Sequence, residues 1–221
     1  MNEYSFIVWH NQAMAATANR TRRTASREKR RQQLIDATIK CIARRGMGST
    51  SIGDVASEAG LSQGIINLHF ESKDNLLTET LLYVADEYKT RFNKTLEEAG
   101  PDAAAKLQAL IELDLRPAIM NRQKIPVWFA FWGEVKSRPT YRKICDVRDK
   151  YYDQVLEELC ATIIAEGKYD NISATSAASV FNSLTNGMWL SYLISPRSFD
   201  RDEAISAISD LLRSLFPKHY S

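Results

Sequence analysis

The sequence holds few of the residues on which enzymes and metal sites depend. Its 221 residues include three cysteines and three histidines. Cys41, Cys145 and Cys160 are too few and too scattered for a disulfide framework or a thiolate metal site, and they suit a reducing cytosol. None of His10, His69 and His219 neighbours a cysteine or serine in a nucleophile pattern. There is no phosphate-binding loop, no zinc-protease motif and no dinucleotide fingerprint. The chain is therefore read as a non-enzyme, with no catalytic residues, no metal and no cofactor. Long apolar runs are missing too. Tyr4 to Trp9 is the first apolar stretch, six residues with no basic segment before it. Nothing approaches the ~18 apolar residues of a membrane span, so neither a secretory signal nor a membrane partner is expected, and the location expected is cytoplasmic. Met1 and Met14 both stand as candidate starts, the second making 1–13 a leader. A net charge of +2 argues against both a strongly basic nucleic-acid coat protein and an acidic tail.

Strand-like alternation is also absent, and so are internal repeats. What remains is helical periodicity, which predicts an all-α fold. Leu34, Ile35, Thr38, Ile39, Cys41 and Ile42 recur at three- and four-residue spacing in a helix that starts at Arg27 and ends at Gly46. A second helix starts at Thr50 or Ser51 and stops at Gly60, and a third starts at Ser62 and holds Ile66 and Phe70 inward. Longer helices are expected over 73–98, 102–120, 125–138, 140–166, 173–194 and 201–215. The expected organisation is a basic arm over 1–26, a three-helix domain over 27–76 and a larger helical domain over 77–221; the helix-turn-helix pattern and the resemblance given below assign DNA binding to the second and effector binding and dimerisation to the third.

The charge is unevenly spread. Residues 1–76 carry 11 basic and 7 acidic side chains, net +4, whereas 77–221 carry 18 and 20, net −2. Such a basic front suits a local polyanion site or a solvated arm. The segment 51–70, a short helix, a glycine turn and a second short helix, is a helix-turn-helix pattern, in which the second helix enters the DNA major groove. With Ile66 and Phe70 inward, Gln63, Ile65, Asn67, Leu68 and His69 should face out. Amides such as Gln63 and Asn67 pair with adenine, Ile65 and Leu68 suit thymine methyls, and His69 suits a phosphate. Gly64 permits close approach. Thr50, Ser51, Ser62 and Lys73 sit at helix N-termini, which favour phosphate oxygens. Arg27, Arg30 and Arg31 add salt-dependent attraction to double-stranded DNA. A small helical subdomain without DNA would show the same apolar periodicity.

The run from Gln33 to Thr38, then Gly46, then Thr50 to Lys73 (Thr-Ser-Ile-Gly-Asp-Val-Ala-Ser-Glu-Ala-Gly-Leu-Ser-Gln-Gly-Ile-Ile-Asn-Leu-His-Phe-Glu-Ser-Lys) resembles the DNA-binding domain of the TetR family. The resemblance implies a homodimeric, all-helical, ligand-responsive repressor. The family often has tyrosine where Asn67 and His69 stand, so phosphate contacts there depart from the pattern.

Two aromatic clusters mark the C-terminal part. Trp128 and Trp132, four apart, share a helix face with Phe129 nearby, and Trp189 lies near Tyr192. Aromatic faces attract cations and cage quaternary ammonium groups, with Asp114 or Glu134 as counter-charge. An aromatic stripe at helical spacing equally suits a core or dimer interface, and spacing leaves both readings open. The runs Gly64 to Phe70, Trp128 to Trp132, Arg138-Pro139 with Tyr141-Arg142, and Gly187 to Leu190 resemble the choline-responsive BetI branch of the family. That implies choline as the effector and control of glycine betaine synthesis. The alternative is another cationic or hydrophobic small molecule. Ligand binding would move the 73–98 helix like a lever and respace the two recognition helices of a dimer formed through 173–215. Two rival readings are a cysteine redox sensor, although Cys145 and Cys160 lie about 22 Å apart along one helix, and an architectural protein that ignores small molecules.

Overall fold

The computed structural model describes residues 26–220. The basic arm, apart from Ser26, and the alternative start at Met14 lie outside the described residues. Within them the chain is helical and without strands. Helix α1 covers 26–45, followed by α2 (Ile52–Ala59), α3 (Gln63–Phe70), α4 (Lys73–Glu98), α5 (Ala103–Leu115), α6 (Lys124–Glu134), α7 (Pro139–Gly167), α8 (Ala174–Ile194) and α9 (Arg201–Leu215).

Start signals in the sequence account for most of these boundaries. Ser51 caps α2 in a reciprocal box: its hydroxyl accepts from the Asp54 amide at 3.1 Å, and the Asp54 carboxylate accepts from the Ser51 amide at 3.0 Å. Ser72, Asp102, Ser173 and Asp200 cap α4, α5, α8 and α9 by side-chain acceptance. Pro139 stands at the first position of α7, where a missing N–H costs nothing.

Two expected helix ends differ. The helix expected to run to residue 120 stops at Leu115, because Arg116 precedes Pro117 and takes an extended backbone. The carbonyls left open there are taken up by Arg201, whose guanidinium donates to Leu115 and, at 3.3 Å, to Met120. The helix expected over 125–138 ends at Glu134. The helix expected over 73–98 matches α4, which runs unbroken across the domain boundary placed at residue 76.

Leu34, Ile42, Val55, Ala56, Ile66 and Phe70 form the core of the α1–α3 head. Leu76, Leu77 and Leu81 on α4 continue that core, and Val84, Tyr88 and Phe92, about one, two and three turns beyond Leu81, belong to the body. In the body α5 is central, touching α4, α7, α8 and α9, while α7 and α8 pair along their lengths.

Candidate DNA interface and effector chamber

Helices α2 and α3 meet at Gly60, whose φ of 65° is left-handed and suits glycine. Beyond it the Leu61 amide donates to the Ala56 carbonyl at 2.9 Å, and the Leu61 side chain packs on the core. Ile66 and Phe70 are buried as their spacing requires. The exposed face of α3 presents Ser62, Gln63, Gly64, Asn67 and Leu68, the last with 69% of its surface in solvent. A leucine so exposed on a short helix has no packing role in the described residues. Ser62 holds the cap position of α3 but its hydroxyl makes no capping bond. Ile65 is only partly exposed and leans on the core.

Several residues expected to contact DNA are otherwise engaged. His69 is buried, and burial followed by the cations of Arg27, Arg30 and Arg31 pushes its pKa down. A neutral, enclosed imidazole does not suit a phosphate, so the expected outward placement is corrected. Thr50 is also buried, with its hydroxyl donating to the Gly46 carbonyl at 2.8 Å. The Ser51 hydroxyl is held in the capping box. Arg31 pairs with Glu79 at 2.6 Å, lies over the Phe70 ring at 4.8 Å and donates to the His69 carbonyl at 3.4 Å. Much of the basic front thus ties the head together: Arg44 and Lys40 pair with Glu58, and Arg45 with Asp54. Arg27 and Arg30 remain exposed, and Lys73 lies partly exposed in the first turn of α4.

In the body, a chamber lies between α4, α5, α7 and α8. Its walls include Tyr88, Phe92, Asp114, Arg148, Tyr152 and Trp189, and its free space is about 50 Å³. The Tyr88 hydroxyl donates to Asp114 Oδ1 at 2.6 Å, and the Trp189 indole N–H donates to the Asp114 carbonyl at 2.9 Å. Burial pushes the Asp114 carboxyl up to about 7, against the Tyr88 hydrogen bond and the Arg148 cation, which both favour its ionised form. Tyr88 stands edge-on to Tyr152 at 5.0 Å and to Trp189 at 6.2 Å. Trp189 lies nearly parallel to Trp132, and Trp132 neighbours Trp128, each pair 6.2 Å apart.

Of the expected ligand residues, Asp114 and Trp189 line the chamber, Trp132 and Trp128 follow behind Trp189 as a chain of rings, and Phe129, Glu134 and Tyr192 do not line it. Glu134 lies by Ser137, whose hydroxyl donates to it at 2.9 Å, and 3.9 Å from Arg138. Tyr192 packs edge-on to Phe199. Phe129 backs Trp132 edge-on at 5.1 Å without lining the chamber. Tyr88, Phe92, Arg148 and Tyr152 were not anticipated, although Tyr88 with Phe92 and Arg148 with Tyr152 stand four apart and share helix faces. The three thiols are buried, and burial pushes Cys160 up to about 12, so it holds no useful thiolate at neutral pH.

A helix-turn-helix head on a larger helical body with an internal chamber defines a one-component transcriptional regulator. Residues 34–80 match the bacterial regulatory proteins of the tetR family, and 103–217 match the C-terminal domain of BetI-type transcriptional repressors. The chain belongs to the TetR family and carries a BetI-type C-terminal domain. It is 30% identical to the HTH-type transcriptional regulator BetI of Paraburkholderia xenovorans, covering 84% of this chain and 93% of that one. The BetI regulator of Pseudomonas aeruginosa PAO1 is also 30% identical, over 83% and 91% of the two chains. Among solved structures, a protein of Saccharomonospora viridis described as a transcriptional regulator in complex with choline superposes with a TM-score of 0.76. It is 26% identical, over 84% of this chain and 96% of that one. Another from Pseudomonas aeruginosa PAO1 superposes at 0.75 with 26% identity, over 88% and 95%.

Proposed function

We propose that the protein is a homodimeric repressor that leaves its operator when a quaternary ammonium compound, choline first, enters the chamber, and that it controls genes converting choline to glycine betaine. The observation that carries this reading is Asp114: a carboxylate set among the rings of Tyr88, Trp189 and Tyr152 offers one negative charge and π faces to a cation that cannot donate a hydrogen bond. The choline complex of the Saccharomonospora viridis relative supports it. A dimer is supported by one face of α8, where Val180, Leu190 and Ile194 are exposed around the small residues Ser183 and Gly187. Such a face lets two helices approach closely.

On the DNA side, Gln63 and Asn67 read base edges and Leu68 meets a thymine methyl, while Arg27, Arg30, Ser62 and Lys73 hold the backbone. Gly64 lets α3 lie close. No helix of the described residues is long and apolar enough to cross a membrane, which agrees with a cytoplasmic site of action. The test is an operator titration with and without millimolar choline. Release of DNA by choline is expected. Operator binding that ignores choline but yields to another cation or apolar molecule moves the protein to the second effector class. Binding without sequence preference or any small-molecule response would sink the repressor reading.

A further inference from the structure

The aromatic faces expected to receive a cation already hold one, and it belongs to the protein. We infer that Arg148 is an internal stand-in for the effector: its guanidinium occupies the Trp128–Trp132 faces, closes the chamber, and must be displaced before an outside cation can bind. This rests on the cation-sensor reading above.

Three observations converge on Arg148. Its guanidinium carbon lies 4.3 Å from the Trp128 ring centre and 5.4 Å from that of Trp132, both within the reach of a cation–π contact. The side chain is only 12% exposed and is fixed by Asp149, which accepts from Nε at 2.7 Å and also from the terminal nitrogen. Arg148 also borders three spaces at once. One is the inner chamber with Asp114. The second is an outer chamber of about 440 Å³ beside Trp132, Asp146, Asp149 and Asp153. The third is an apolar groove of about 500 Å³ between Leu82 on α4 and Val147 and Tyr151 on α7. The arginine is the partition between them.

The inner chamber as it stands admits a few water molecules and no organic cation. A swing of the guanidinium outward joins it to the outer spaces. The displaced charge stays compensated, because Asp146, Asp149 and Asp153 all line the outer chamber into which it swings. Effector binding is then an exchange of one cation for another on the same rings. The observed affinity reports a difference, and an abundant solute is sensed only when its concentration is high. The exchange also loosens a contact of α7 with α6, so occupancy and helix position are linked through one side chain.

The test uses the full chain, calorimetry and two probes, choline and tetramethylammonium. Arg148→Gln removes the competing cation, and Arg148→Met keeps the apolar stem. Both variants should bind each probe at least fivefold more tightly than the unmodified protein. In the unmodified protein the Arg148 Nε–H resonance, shifted by the indole rings, should move to the position of a free arginine as choline saturates. Equal or weaker binding by the variants, or a resonance that stays ring-shifted at saturation, overturns the exchange while leaving the cation sensor intact. Tight binding by the variants with none by the unmodified protein supports it. If no protein form binds either probe, the cation-sensor reading itself fails and takes this inference with it. If both variants fail to fold, the resonance alone decides.

Discussion

Arg138 at the start of α7 reaches Asp74 in the first turn of α4, with Nη1 3.0 Å from Oδ1. The same guanidinium lies over the Tyr141 ring at 5.4 Å and 3.9 Å from Glu134 at the end of α6. The end of α6, the start of α7 and the base of the DNA-binding head thus share one cation. The side chains are 39% and 68% exposed, so the pair itself contributes only about 0–1 kcal/mol to stability. Arg138→Ala should therefore leave the melting temperature nearly unchanged and still blunt the effector response. Operator binding without effector should stay within about threefold, while the effector concentration for half release rises. A variant with an unaltered effector response would show that the contact carries no signal.

The Asp114 carboxyl gives a pH dependence with a definite sign. Its value of about 7 lies above the ordinary 3.8, so the folded protein favours the protonated acid. Its contribution to stability is complete below about pH 4 and is lost as pH rises through 7. Asp114→Asn should remove that loss, so the variant gains relative to the unmodified protein between pH 4 and 7 in denaturant titrations. A bound cation favours the ionised acid. Choline should bind more tightly at pH 8 than at pH 6 and release protons on binding near neutrality, which calorimetry in buffers of different ionisation heat measures directly.

Glu71 links α3 to α4 with a φ of 65°, a left-handed backbone in which a side chain is strained. Glu71→Gly relieves that strain at the cost of a more flexible unfolded chain. The expected net gain is about 1 kcal/mol, read as a higher urea midpoint. A loss of stability would mean that the Glu71 side chain contributes more than its strained backbone costs.

Base-reading and backbone-holding residues should separate in binding assays. Gln63→Ala or Asn67→Ala should cost about 1–3 kcal/mol on the operator and little on unrelated DNA. Arg30→Ala should weaken both alike and reduce the salt slope by about 1. His69→Gln should disturb stability before specificity, because the imidazole is buried beside Phe70.

The helices were readable wherever a cap, a glycine or an apolar period announced them: Ser51, Gly60 and the Leu34–Ile42 stripe are local signals. The turn at Leu115 was masked by a run of good helix formers, and what closes it, Arg201, comes from a helix 86 residues away. The same limit governs the sites. The rings of Trp128, Trp132 and Trp189 were visible as a composition, and of the three Trp189 meets Asp114, through its indole N–H. That Arg148 covers two of them depends on how α6 and α7 pack, which no spacing within either segment encodes. His69 misled because a helix only eight residues long has room for little more than two inward positions by period alone, yet Arg31 of α1 lies over Phe70 and donates to the His69 carbonyl at its far end.

Tyr88 and Lys73 share one unbroken helix, α4, and the ring in the chamber lies 15 positions along it from the charge beside the DNA-reading face. That is about 22 Å of rigid rod. A tilt of about 5° at the ring displaces the far end by about 2 Å, and in a twofold dimer the two displacements add to about 4 Å. Half-sites about 34 Å apart tolerate little of that. In the proposed repressor, then, no large rearrangement of the chamber is needed to reach an operator: the helix would amplify a small tilt, and the symmetry of a dimer would double it.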